Sequence, residues 1–251
     1  MDDGGPAVQD FGAMGDLWGQ PTPPPAALKP HTHGHRERLR ERALKGGLNA
    51  LPDYELLELF LFRTFRNGDV KPIAKGLIDR FGSLGAALGA TVEELRTVSS
   101  IGSEAALDLK ALHELTIRLG KEPVKKRPVI SSWTALLGYV RTAMAHESRE
   151  QFRVLFLDKK NQLILDEVMN QGTVDHAPVY PREVARRALE TSASSVILVH
   201  NHPSGDPAPS SADVDMTRQI VEALKALRIA VHDHLVVGRD GVASFKALGL
   251  L

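Results

Sequence analysis

Residues 199–213, VHNHPSGDPAPSSAD, constrain this chain more than any other stretch. An apolar run, SVILVH, ends on two histidines one residue apart, and turn-forming residues follow at once. In an extended segment alternate side chains leave on the same side, so His200 and His202 point together while Asn201 points away. The prolines and glycine of PSGDPAP favour a tight, ordered turn, after which the chain enters a helix. That return brings Asp213 back towards the histidines. Two imidazoles and a carboxylate make a three-ligand zinc set, with Zn–N bonds of about 2.0–2.1 Å and a fourth position left for water. A second role is open to the same residues. Ser210 at a helix N-cap with Asp213 three residues on fits a capping box, which satisfies backbone amides at a helix start.

The chain contains no cysteine, so any metal sits on nitrogen and oxygen, and a cysteine nucleophile is excluded. The zinc deaminases need H-x-E and P-C-x-x-C, which the same absence rules out. The helix-borne H-E-x-x-H is missing too, because His113-Glu114 and His146-Glu147 lack a second histidine at the required place. The letters HNH stand consecutively here, whereas the nucleases named for them spread those residues over a hairpin and helix. Lysine plus arginine and aspartate plus glutamate number 31 each, so only a local patch would attract a polyanion. Absent disulfides suit a reducing cytoplasm. The first residues, including Asp2 and Asp3, show no continuous apolar stretch, so neither a secretory signal nor a membrane span is expected.

The pattern along the chain divides it into four. Residues 1–34, rich in glycine, proline and alanine, read as a disordered tail, and His31, His33 and His35, which alternate at its end, carry no assigned role. Residues 35–120 form a small all-helical domain: HRERLRERALK at 35–45, PDYELLELFLF, VKPIAKGLIDRFG, and the long run from 91 to 119 repeat apolar residues at helical spacing. Residues 121–130, containing Pro123 and Pro128, break the helical pattern and mark a linker. Residues 131–251 mix the two periods. SSWTALLGYVRTAM, PREVARRALE and SADVDMTRQIVEALKAL are helical, while QFRVLFLD, QLILDEVMN, SVILVH and a closing IAVHDHLVVG are strands. Helices interleaved with strands predict an α/β domain, a mixed sheet covered by helices.

Histidine, one residue, histidine, seven residues, serine, two residues, aspartate is the motif of the JAMM/MPN metalloproteases, matched at His200, His202, Ser210 and Asp213. The wider NQGTVDHAPVYPREVARRALE…VILVHNHPSGDPAPS resembles the RadC branch of that family, as does the helical part from about residue 35 to 119. The resemblance implies a cytidine-deaminase-like three-layer fold and zinc (Zn2+) held by His200, His202 and Asp213. It implies a peptide or protein substrate, Ser210 as a hydroxyl donor to the oxyanion, and an upstream glutamate as base. Glu150, abutting QFRVLFLD, is the choice over Glu147. The second H-x-H, His232 and His234, is not read as ligating, because no acid follows at a helix start. His176 is left unassigned. VSSIGSEAALDLKAL resembles the helix-hairpin-helix element of the same family and offers DNA a contact around Gly102. Ser100 stands in place of that element's first glycine and Glu104 adds a negative charge nearby, so a packing role is the alternative; Lys125 to Arg127 add a short basic run.

Overall fold

A computed structural model describes residues 34–126, 128–172 and 179–251. The expectations for the tail, for His31, His33, Arg127 and His176 lie outside those residues. Six helices come first: α1 (His35–Gly46), α2 (Asp53–Leu61), α3 (Lys71–Phe81), α4 (Leu84–Gly89), α5 (Val92–Leu95) and α6 (Ser103–Lys126). Local signals set their ends. Ser83 caps α4, Thr91 and Glu94 form a capping box on α5, and Gly82 ends α3 at φ 84°. Apolar residues at helical spacing, among them Leu39, Leu57, Leu61, Leu77, Leu95 and Leu109, close one core between these helices. His35 departs from its reading as part of a solvated tail. It opens α1, and its Nε2 lies 2.6 Å from Oε1 of the buried Glu58.

The break expected at 121–130 is displaced, because α6 runs through Pro123 as far as Lys126. A proline inside a helix removes one backbone bond. Tertiary contacts offset that loss: Val124 is buried in the core on one face of the sheet, Ile117 packs against it, and Lys121 Nζ pairs with Asp166 at 2.7 Å.

The remaining elements are α7 (Trp133–Met144), β1 (Gln151–Leu157), β2 (Leu163–Gln171), α8 (Pro181–Glu190), β3 (Ser195–Asn201), α9 (Ser211–Ala226), β4 (Ala230–Val237) and β5 (Val242–Ser244). They form a mixed sheet in the order β2-β1-β3-β4-β5, in which only β3 and β4 are parallel and α9 makes the crossover. β4 does not close the sheet as expected; the short β5 covers its outer edge. Strand alternation sorts the side chains into two cores. Leu155, Leu157, Ile197 and Val199 face α7, while Phe152, Val154, Phe156, Val196 and Leu198 face α8 and α9. The result is three layers, helix on sheet on helices. His200 falls in phase with Val196 and Leu198, on the α9 side, and Asn201 with Ile197 and Val199, on the α7 side. No helix among the described residues is long and apolar enough to cross a membrane.

Candidate metal centre

The site forms where the parallel pair β3 and β4 ends and α9 begins. His200 is the next-to-last residue of β3, His202 follows that strand, and Asp213 lies in the first turn of α9. The intervening loop is fixed by backbone. The His202 amide donates to the Val237 carbonyl at 2.9 Å, the Asp240 amide to Gly205 at 3.2 Å, and Arg239 to the Ser204 carbonyl at 2.6 Å. Packing is close enough that a Cβ on Gly238 would stand 2.1 Å from the Gly205 carbonyl oxygen, so any side chain there would displace the loop.

The two Nε2 atoms of His200 and His202 are 3.0 Å apart, and Asp213 brings Oδ1 to 3.3 Å from the first and Oδ2 to 3.4 Å from the second. Tetrahedral zinc with bonds of about 2.0–2.1 Å separates its ligands by about 3.3–3.4 Å, so this donor set fits such an ion. Among the described residues His200, His202 and Asp213 are the group that can hold a metal.

Hydrogen bonding sets which nitrogen of each ring carries its proton. Thr217, one helical turn beyond Asp213, approaches the Asp213 carbonyl at 2.5 Å, and a carbonyl only accepts, so the single hydroxyl proton goes there. Thr217 Oγ1 is then left to accept from His234 Nδ1 at 2.6 Å. His234 Nε2, now without a proton, accepts from His200 Nδ1 at 2.8 Å, which leaves the lone pair of His200 on Nε2. His202 Nδ1 donates to the Asp206 carbonyl at 2.9 Å, with the same consequence. Both lone pairs therefore face the Asp213 carboxylate. Burial holds His234 well below the usual histidine pKa, which keeps that ring neutral. Phe152 stacks on His200 and Phe245 on His234, restricting both rings.

Such a corner attracts positive charge. Burial alone would raise Asp213, but the neighbouring His200 and His202 rings, which favour its charged form when they carry a proton on Nε2, and the Ser210 hydroxyl hold it well below the usual carboxylate range. The pKa of His202 is raised, chiefly through its hydrogen bond with Asp213 against the opposing effect of burial, with Glu150 adding in the same direction.

Ser210 is the N-cap of α9. Its Oγ accepts from the Asp213 amide at 3.2 Å and donates to Asp213 Oδ2 at 2.7 Å, and Asp213 Oδ2 also accepts from the Ser210 amide at 2.7 Å. Capping and ligand positioning thus share one pair of residues. The two candidate bases differ in their surroundings. Phe152 pairs with His200 at the end of the β1–β3 ladder, and Glu150, two residues before it, lies close enough to His202 to help raise its pKa. Glu147 accepts from Gln151 Nε2 at 3.3 Å instead, and burial raises its pKa. Two contributors to this site went unread in the sequence, the Asp206 carbonyl and Thr217, while His234, read there as not ligating, accepts from His200. Only Thr217 had a local signal, its four-residue spacing from Asp213. Around Gly102, Ser100 takes φ 71°, the left-handed conformation that a glycine adopts without strain, and Gly102 is exposed just before α6.

Two family models match the chain. The RadC-like JAB domain covers residues 130–250, and the UPF0758 N-terminal model covers residues 32–107.

Proposed function

The chain belongs to the RadC family, and from that premise we propose that it is a zinc-dependent hydrolase of the metallopeptidase type, acting on a peptide or isopeptide carbonyl. The observation that carries this reading is the convergence of two imidazole lone pairs and a carboxylate, with Glu150 just before β1 and close enough to His202 to help raise its pKa. His200, His202 and Asp213 would hold the ion. Zinc held there would lower the pKa of a water on it to about 7 and polarise a carbonyl.

The chain's own residues do the rest. Glu150 takes a proton from the attacking water as the C–O bond forms and passes it to the departing nitrogen as the C–N bond breaks, leaving a carboxylate and an amine. Ser210 donates to the carbonyl oxygen after its hydroxyl turns from Asp213 Oδ2, while its backbone amide keeps that oxygen in place. Thr217 and His234 keep His200 in the tautomer that presents Nε2. The test is cleavage of a peptide library by zinc-loaded protein. Turnover is expected in the wild type and in neither Glu150→Gln nor His202→Ala, with zinc retained in the first variant and lost in the second. Equal cleavage by wild type and Glu150→Gln would refute the assignment of the base.

A second reading, a DNA-binding accessory protein whose metal site is structural, draws on the glycine-like turn at Ser100 before the exposed start of α6. Glu104 in the first turn of α6 opposes a phosphate there. DNA affinity that falls steeply with salt and survives His202→Ala would favour that reading.

A further inference from the structure

We propose that Asn201 is a positioning residue that fixes Glu150 against the metal centre, an inference that rests on Glu150 being the base. Asn201 is 1 % exposed, and strand alternation turns it to the α7 side while its two histidine neighbours turn to the metal. A buried carboxamide needs partners for its oxygen and both its N–H groups. All three are found on one short segment. Oδ1 accepts from the Gln151 amide at 2.8 Å, and Nδ2 donates to the Arg149 carbonyl at 3.1 Å and to the Glu147 carbonyl at 3.4 Å.

The choice of groups matters. The Arg149 carbonyl belongs to the peptide plane preceding the Glu150 Cα, and the Gln151 amide to the plane following it. Holding both planes fixes φ and ψ of Glu150, because the backbone has only those two soft dihedrals per residue. The Glu150 carbonyl is held separately by the Gly172 amide at 2.8 Å. Since β1 begins at Gln151 and β3 ends at Asn201, the side chain extends the ladder where backbone pairing stops. One tripeptide, His200-Asn201-His202, thereby sets two ligands and the base in a common frame. A base must come within about 2.6–3.2 Å of the proton it takes, and a misplacement of about 1 Å costs on the order of 10²-fold in rate.

The test uses the full chain loaded with Co2+ in place of zinc and follows the pH midpoint of its visible bands, which reports on ionisation at the open coordination position. Wild type, Asn201→Ala and Glu150→Gln are each expected to hold one cobalt per chain. Both variants should shift the midpoint in the same direction, and the double variant should shift it no further than Glu150→Gln alone. If Glu150→Gln shifts the midpoint and Asn201→Ala titrates as wild type, Asn201 does not position Glu150, although Glu150 still faces the centre. If neither variant shifts it, the reading of Glu150 fails and the inference falls with it. Where Asn201→Ala does not fold by circular dichroism, Asn201→Asp replaces it, keeping the acceptor for Gln151 and losing both donors. Its midpoint is expected to move with that of Glu150→Gln, and a wild-type midpoint would overturn the proposal.

Discussion

Thr217 has one hydroxyl proton, and committing it to the Asp213 carbonyl propagates through His234 to the nitrogen that His200 offers a metal. Thr217→Val keeps the shape and removes the acceptor, leaving His234 Nδ1 unpartnered. Metal affinity is expected to fall about 10–100-fold, as for other groups that orient a ligating histidine. Competition with a chelating indicator measures this, and Thr217→Ser should restore the affinity; unchanged affinity in the valine variant would break the chain of donors. The group that could hold a metal, His200, His202 and Asp213, was legible in the sequence, because alternation within His200-Asn201-His202 and a turn leading into a helix are local facts. The tautomer chain was not, since His234 reaches His200 only through the parallel pairing of β3 with β4. The choice between Glu150 and Glu147 likewise turns on contacts that only the fold creates, Glu150 acting on His202 and Glu147 accepting from Gln151.

Among the elements, α6 joins the two parts of the molecule: Ala105 and Leu109 lie in the helical core, and Val124 lies against the sheet. The sequence marked a break at Pro123 from local propensity, and packing at Ile117, Lys121 and Val124 overrode it. Where α4 meets the end of α7, a Cβ on Gly89 would stand 2.4 Å from His146 Cβ. Overpacking there costs about 1–3 kcal/mol, against about 1 kcal/mol gained in helix propensity. Gly89→Ala is therefore expected to lower the urea midpoint, and a raised midpoint would show that the contact yields freely. Two histidines at this junction also titrate. Burial lowers the pKa of His113, whose Nε2 lies 3.3 Å from the Thr142 carbonyl, and burial with Arg239 and Arg141 lowers that of His146. The unfolded chain then binds more protons near the ordinary value of 6.5, so their contribution is present above that pH and lost as pH falls below it. The melting temperature should drop between pH 7.5 and 5.5, and a His113→Gln, His146→Gln variant should drop less; equal drops would remove both groups from the account.

For the whole molecule, the α/β class and the helical first part were readable from the change of hydrophobic period. β5, only three residues long, carried too short a pattern to be read. A metal bound only by the folded chain stabilises it by about 2.7 kcal/mol at a free concentration a hundred times its dissociation constant. Chelation should accordingly lower the melting temperature of the wild type and leave Asp213→Ala unmoved, whereas an equal response in both would place the metal elsewhere. The most direct measurement is metal content per chain after purification without chelators, for wild type beside His200→Ala, His202→Ala, Asp213→Ala and Glu150→Gln, each verified as folded by circular dichroism. One zinc per chain is expected in the wild type and in Glu150→Gln, and none in the other three. A metal-free wild type that also takes up no added zinc, or a folded ligand variant that retains a full equivalent, would contradict it.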